Sequence, residues 1–423
     1  MHLRRCFMCI ITVSFLFYLF LSVYLNFSLR SHDARNGVLF YQGLSFADRV
    51  PVQTKIKCTN EMTNFVFIKC MKCATETMAS VLRRFGYLRN LTFVLPVKRN
   101  LYLGWPFPIE LSDIRLSKFD YNILLEHSIY NGSFLQQIMP NNTMYITMIR
   151  NPWDHFKSTY NYFDVGEIGD VPNKSIETYL KNITYYESIY KSPEKNWRRH
   201  CVPEGFSITR NLLSHCLGFP LGFPAGREDI SKNQGKLQSY INDLEERFSL
   251  VMIVDYFAES LVLLKRIMCW SFKDIVYHHS NMGNYKDSNL KSLKPEGEYY
   301  KIHRNWSNVD YMLFNHFNKT LWQKIKNEGP DFYEEVQQFR LIQLLVERFC
   351  FIENMWKFPN KYMTIPGSKF GKKFNITGED CVLMNTYMLP LLWAKFYEIE
   401  GVSPEQFEDV EKRPKPLKGC SIR

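Results

Sequence analysis

Runs of apolar and polar positions divide the chain into distinct segments. After "MHLRR", the residues from Cys6 to Leu29 carry no charge and are bulky to the end. Twenty-four such residues suffice to cross a hydrocarbon core of roughly 30 Å. Arg4 and Arg5 ahead of this run, against a lone Arg30 behind it, predict a cytosolic tail (1–5), a membrane signal anchor (6–29) and a lumenal body. A cleaved signal peptide is the rival reading, although its apolar core usually spans only about 7 to 15 residues. Residues 30–60 are polar and weakly patterned, as a stem would be. The folded part is expected over 61–423.

Within it, "NFVFIKC" at 64–70 has the continuous apolar character of a buried strand, and "TETMASVLRRFG" places Met78, Val81, Leu82 and Phe85 at helical spacing, with Gly86 as its stop. "YNILLEH" at 121–127, "TMYITMI" at 143–149 and "FSLVMIVDYF" at 248–257 are further strands, with helical patterns between and after them. That alternation predicts an α/β fold with a central, mainly parallel sheet covered by helices on both faces. From about residue 305 the pattern turns helical, in "VDYMLFNHFNKTLWQKI", "FYEEVQQFRLIQLLVERF" and "VLMNTYMLPLLWAKF".

Composition adds a compartment and a charge preference. The formal net charge of +11 favours anionic partners. The charges are dispersed and no nucleic-acid-binding module pattern is present, so nucleic acid is not expected. Asn90, Asn131, Asn141, Asn173, Asn182, Asn305, Asn318 and Asn375 open N-x-Ser/Thr triplets, which suits a lumenal body. Of 11 cysteines, Cys6 and Cys9 fall in the apolar run; the odd remainder leaves at least one without an intramolecular partner in an oxidising compartment. Cys70 and Cys73 have the C-x-x-C spacing of redox or zinc sites, without a second such pair. His155, His200, His215, His278, His279, His303 and His316 show no ligand spacing and read as structural or surface. No metal site is expected.

In an open parallel sheet, ligands bind beyond the carboxyl ends of the strands. The first such turn, "KCMKCATET", brings Lys69, Lys72, Ala74, Thr75 and Thr77 to a helix N-terminus. Cations, hydroxyls and backbone N–H groups together suit a phosphate. The glycines of the nucleotide P-loop are absent, and an ordinary strand-to-helix turn with surface lysines is the competing reading. The second turn, "IRNPWDHFKS", puts Arg150 after a strand, Pro152 at a helix start and Ser158 about two helical turns on. Arg150 and Ser158 suit a second phosphate.

In these two turns the chain resembles the Golgi galactose 3-O-sulfotransferases, which take sulfate from 3'-phosphoadenosine 5'-phosphosulfate (PAPS). The first turn is similar to their 5'-phosphosulfate loop and the second to their 3'-phosphate motif. The resemblance continues through "RFGYLRNLTFVLPVKRNLYLGWP", "TRNLLSHCLGF", "RFSLVMIVDYFAESLVLLKRIMCW" and "HFNKTLWQKI", in colinear blocks over about 61–350. It implies a P-loop-like sulfotransferase fold. It also implies that Lys72, Thr75 and Thr77 hold the phosphosulfate, that Arg150 and Ser158 hold the 3'-phosphate, and that Arg210 is a further cofactor or substrate contact. Galactose-terminated glycolipid or glycoprotein glycans would be the acceptors, at a Golgi membrane. Lys72 would neutralise the leaving phosphate. His127, at the end of "NILLEH", would take the acceptor's proton; Glu126 beside it faces the sugar only if the strand has ended. Trp105 is either a sugar platform or a core aromatic.

Two positions depart from the family pattern: Met71 stands where a histidine is usual, and Glu76 where a serine is. Beside a phosphate, an unscreened Glu76 would cost on the order of 1 to 3 kcal/mol at an effective dielectric of about 20. A paralogue that binds nucleotide or glycan without turnover is therefore the alternative reading. Cys70 and Cys73 replace threonines and read as small-residue substitutions.

Overall fold

The computed structural model describes residues 60–199, 202–203, 205–278 and 295–403. All of them lie in the larger of two compact units, 55–423. The apolar run 6–29 and the stem up to residue 59 fall outside the described residues, as does the tail from residue 404. Among the described residues no helix is long and apolar enough to cross a membrane.

The apolar runs become strands because they can be buried on both faces. β1 (Phe65–Ile68) is buried at every position. It leads into α1 (Thr75–Leu88), and the chain continues through β2 (Ile123–Leu124), α2 (Gly132–Ile138), β3 (Met144–Ile149) and α3 (Pro152–Tyr162). After several short helices come α4 (Leu212–Cys216), α5 (Gln234–Arg247), β4 (Leu250–Ile253) and α6 (Phe257–Met268). The four strands form one parallel sheet in the order β2-β1-β3-β4. Phe65 pairs with both Ile123 and Met144, and Ile146 pairs with Leu250. The chain leaves β1 for β2 on one side and returns to β3 on the other. The topological switch point, where ligands of such sheets bind, is thus the gap beyond the carboxyl ends of β1 and β3.

Each observed strand is shorter than its apolar run; in β1, β2 and β4 the last residues of the run have already turned into the connecting loop, whereas β3 keeps its run to Ile149. Gly86 does not stop α1, which continues to Leu88. A Cβ there would lie 2.4 Å from both the Ile123 side chain and the Phe93 ring, so glycine permits close packing of helix on sheet.

The C-terminal part is helical, as expected, in α7 (Gly297–Trp306), α8 (Asn308–Asn327) and α9 (Asp331–Glu347). It also contains an antiparallel hairpin, β5 (Tyr362–Ile365) with β6 (Phe374–Thr377), which the helical pattern did not announce. The last apolar stretch is two helices, α10 (Gly378–Asn385) and α11 (Leu389–Glu400), and not one. Pro390 sits in the first turn of α11, where its missing N–H leaves no bond unmade. A disulfide between Cys350 and Cys381 joins the end of α9 to α10. The Ser80 hydroxyl donates to the Met384 carbonyl at 3.4 Å, which seats α10 on α1 and brings the link between α10 and α11 toward the switch point.

Candidate active site

The turn between β1 and α1 is held in an unusual shape. Lys72 (φ 60°) and Ala74 (φ 52°) both adopt the left-handed conformation without being glycine. Each costs about 1 to 2 kcal/mol, so the surroundings must impose it. Three ties do so. Cys70 is disulfide-bonded to Cys216 of α4, so it is not merely a small residue in a threonine's place. His155 of α3 reaches the Met71 carbonyl with Nε2 at 2.9 Å. Met71 itself is buried among Trp105, Trp153 and Phe156. Cys73 is a buried free thiol whose pKa is raised by burial, and its Sγ donates to the Met71 carbonyl at 3.4 Å. The result directs the first-turn N–H groups of α1, with Thr75 and Thr77, toward the switch point.

Lys72 lies on the outer side of this turn, with Nζ 3.9 Å from the centre of the Tyr162 ring. Burial, and next the neighbouring Arg150 guanidinium, hold its ammonium below the usual lysine range. Arg150 follows β3 directly. There Asn151 caps α3, accepting from the Trp153 N–H at 3.0 Å, and its own N–H donates to Asp255 beyond β4 at 3.2 Å. Ser158 is buried on α3. The two turns read from the sequence are therefore neighbours, and together they gather Lys72 and Arg150 at one sheet edge.

Beneath the cradle lies a network of charged side chains. Lys69 is fully buried; its Nζ donates to Glu76 Oε1 at 2.5 Å and lies 3.7 Å from Glu126. Lys69, expected among the cofactor contacts, thus faces inward, its ammonium set between Glu76 and Glu126. Arg83, one helical face along from Glu76, makes a bidentate pair with buried Glu126 at 2.9 and 2.6 Å and lies 3.5 Å from Glu76. Glu126 is accordingly spent on Arg83 and does not face a sugar. Burial works against the ionisation of Glu76, but Lys69, Arg83 and His127 outweigh it and hold its pKa at about 2.

His127 completes this group. Its Nδ1 lies 2.8 Å from the Lys69 carbonyl, which can only accept, so Nδ1 carries the proton and Nε2 presents a lone pair. Nε2 is 3.9 Å from Glu76 Oε1. Burial, and then Lys69, push the imidazole pKa down to about 3, so it is neutral and able to accept. Glu76 has the opposite effect and stabilises an imidazolium once formed.

Arg210 stands in a different setting, its guanidinium 5.3 Å over the Trp306 ring. The entrance to α4 beside it is fixed by Asp310 of α8, which accepts from the Leu213 and Ser214 N–H groups at 3.1 and 2.8 Å. Trp105 is buried against Phe163 and Phe206, a core residue and no sugar platform. Sequence reasoning missed the parts that His155, Arg83 and Cys216 play. Only Arg83 had a local signal, seven residues after Glu76 on the same helical face. Among the described residues, no group of three or more His, Cys, Asp or Glu is placed to hold a metal ion.

The fold and these turns define an α/β protein with an anion cradle at the switch point of its sheet and a neutral histidine beside it. The description "Galactose-3-O-sulfotransferase" belongs to the family model that matches residues 5–358, and the chain is a member of that family. Galactose-3-O-sulfotransferase 2 of Sus scrofa is 30% identical over 298 residues, covering 68% of this chain and 69% of the relative. Galactose-3-O-sulfotransferase 3 of Mus musculus is 30% identical over 290 residues, covering 67% and 62%. Galactosylceramide sulfotransferase of Homo sapiens is 29% identical over 272 residues, covering 63% and 59%. Membership supports an enzyme of sulfuryl transfer to galactose.

Proposed function

We propose that this protein transfers sulfate from PAPS to the 3-hydroxyl of terminal galactose on glycolipid or glycoprotein glycans, as a single-pass type II protein of the Golgi membrane with its body in the lumen. The observation that carries the reading is the adjacency of the Lys72 and Arg150 turns, with the lone pair of His127 Nε2 at their edge. PAPS would supply an activated sulfuryl group at the end of its 5'-phosphosulfate and carry a second anionic group, the 3'-phosphate. The donor set suits it: Lys72, Thr75, Thr77 and the N–H groups of α1 for the phosphosulfate, Arg150 and Ser158 for the 3'-phosphate, and Arg210 as an outer contact.

The work left to the protein is positioning and charge neutralisation. Lys72, already desolvated, stabilises negative charge on the departing phosphate. The Lys69 carbonyl fixes the His127 tautomer, so that Nε2 takes the acceptor's proton, and Glu76 then offsets the charge on the ring.

Met71 and Glu76 motivate the alternative, a protein that binds nucleotide or glycan without turnover. That motive is weakened because Glu76 spends its charge on Lys69 and Arg83. The test is full-length protein in detergent with labelled PAPS and galactose-terminated glycans. Sulfated acceptor is expected, with turnover reduced about 10²- to 10⁴-fold in His127→Ala. Lys72→Ala and Arg150→Ala should weaken binding of the product nucleotide. The proposal fails if no acceptor is sulfated and the nucleotide does not raise the melting temperature.

A further inference from the structure

Residues 209–211 cross the junction of α7 and α8 and are held there on both sides of Arg210. The Thr209 hydroxyl donates to Glu187 Oε1 at 2.6 Å and accepts from the Trp306 Nε1–H at 3.2 Å. The Tyr179 hydroxyl donates to the same Glu187 oxygen at 2.8 Å. On the other side, the Asn211 N–H donates to Ser307 Oγ at 2.7 Å, and its side-chain oxygen accepts from the Val309 and Asp310 N–H groups at 3.1 and 3.3 Å. These bonds hold Asn211 in the left-handed region, at φ 52°. Tyr179, Glu187, Thr209 and Asn211 are all buried, whereas Arg210 is only partly so.

Arg210 thus has an immobile backbone and a guanidinium with no anion of its own. The guanidinium rests 5.3 Å over the Trp306 ring, and among the described residues no carboxylate lies within ion-pair distance of it. Glu187, on the helix Ile183–Lys191, is the unusual member of the network. Its Oε1 takes two hydroxyl protons, while its buried Oε2 has no hydrogen-bond partner and only the Lys191 ammonium 3.7 Å away. A buried carboxylate satisfied at one oxygen alone is a weak stabiliser of a core. What it does supply is direction. Because Oε1 only accepts, the Thr209 hydroxyl must give it the proton and turn a lone pair to the Trp306 N–H. Trp306, held by that bond, is the plate on which the guanidinium lies. α7, which ends at Trp306, also packs on α3, where its His303 stacks on Phe156 with ring centres 4.3 Å apart. α3 is the helix that follows Arg150 and carries Ser158.

We propose that Glu187 is a positioning residue for Arg210, and that through Thr209 and Trp306 it holds the guanidinium as a preformed contact for an anionic group of the nucleotide. The inference rests on the sulfotransfer reading, in which Arg210 is an outer nucleotide contact, and adds the residue that sets its direction. A long arginine loses rotamer freedom when it binds, and ordering it beforehand removes that cost from the binding step. The flat indole face and the two clamped neighbours do the ordering, and the guanidinium keeps its N–H groups for the ligand. A core role alone is served as well by an apolar pair in place of Glu187 and Thr209, with no unmet oxygen.

The test is calorimetric titration of full-length protein in detergent with the product nucleotide, 3'-phosphoadenosine 5'-phosphate, which needs no turnover. Arg210→Ala should weaken binding at least about tenfold, as loss of a charged hydrogen bond does. Thr209→Val, which keeps the shape and removes the hydroxyl, should weaken it about three- to tenfold, as should Glu187→Leu, and neither should add to the loss in an Arg210→Ala background. A merely structural role would not produce that non-additivity. Glu187→Gln keeps an acceptor oxygen and should bind nearly as the wild type does. If Glu187→Leu does not fold, Thr209→Val carries the same prediction. Unchanged affinity in Arg210→Ala or in Thr209→Val, or an equal further loss from Thr209→Val in the Arg210→Ala background, would overturn the positioning role and leave the sulfotransfer reading intact. A wild type that does not bind the nucleotide at all would overturn the sulfotransfer reading and the inference with it.

Discussion

His155 Nε2 lies 2.9 Å from the Met71 carbonyl oxygen, so a buried side chain of the helix after β3 holds the backbone of the turn after β1. The carbonyl accepts, and the ring must therefore carry its proton on Nε2. This bond couples the two anion-binding turns and helps impose the left-handed conformation at Lys72. Replacing His155 with Ala leaves the buried Met71 carbonyl with only the weak Cys73 thiol as donor, at a cost of about 1 to 3 kcal/mol. We expect His155→Ala to lower the melting temperature and also to weaken nucleotide binding, although the side chain touches no ligand. Calorimetry with and without nucleotide checks this; unchanged affinity in a destabilised variant would show that the bond serves the fold alone.

Four buried imidazoles make stability depend on pH. Burial is the main cause in each: it pushes His127, His155 and His303 down to about 3, and His215 to about 4, from an ordinary 6.5. Above pH 6.5 both native and unfolded chains keep them neutral, and their contribution is complete. As pH falls from 6.5 toward 4, the unfolded chain takes protons that the native chain refuses. Stability is then lost at up to about 1.4 kcal/mol per pH unit for each ring. Asp310, pushed up to about 6 by burial, acts in the opposite sense, since the native state binds its proton first between about pH 4 and 6. The melting temperature should fall steadily from pH 7 to pH 4.5, and more steeply in Asp310→Asn. A flat profile over that range would contradict the assignment of these rings as buried and neutral.

What the sequence made legible was local. The apolar runs located the strands, and the residues just past them, Lys72 and Arg150 among them, formed the two turns because a parallel sheet brings its carboxyl ends together. Illegible were the ties that depend on strand order and on distant returns of the chain. Cys70 meets Cys216 across 146 residues, His155 meets Met71 across 84, and Arg83 meets Glu126 across 43. Lys69 shows the limit most plainly. By composition it was a second phosphate lysine, yet it is fully buried against Glu76. The hairpin β5–β6 was hidden for a related reason: each strand buries only one residue, Ile365 or Ile376, among partly or fully exposed ones, which leaves little apolar contrast.

The Cys70–Cys216 disulfide closes a long loop and ends on the cradle itself. Removing it as Cys70→Ala with Cys216→Ala should cost about 2 to 4 kcal/mol of stability. It should also weaken nucleotide binding, because the turn loses its tie to α4. The Cys350–Cys381 bridge is a control, since it joins α9 to α10. Its removal should lower the melting temperature and leave nucleotide affinity as it was. Melting curves and nucleotide titrations on both pairs separate the two roles; equal loss of affinity in both would mean that neither bridge acts on the turn specifically.

The Arg83–Glu126 pair supports the floor of the site. Both side chains are buried, two hydrogen bonds join them, and Lys69 lies 3.7 Å from Glu126. Burial disfavours the charged guanidinium, but Glu126 outweighs it and raises the Arg83 pKa. Glu126→Gln removes the carboxylate and leaves Arg83 and Lys69 to share Glu76, at a cost of about 3 to 5 kcal/mol. Arg83→Met should cost a similar amount by leaving Glu126 without its bidentate partner. The double variant removes both charges, and its loss should be well below the sum of the two, as double-mutant cycles show for groups in direct contact. Simple additivity of the three unfolding free energies would mean that the pair does not act as a unit. Glu76 would then need another explanation for the low pKa that keeps it charged beside His127.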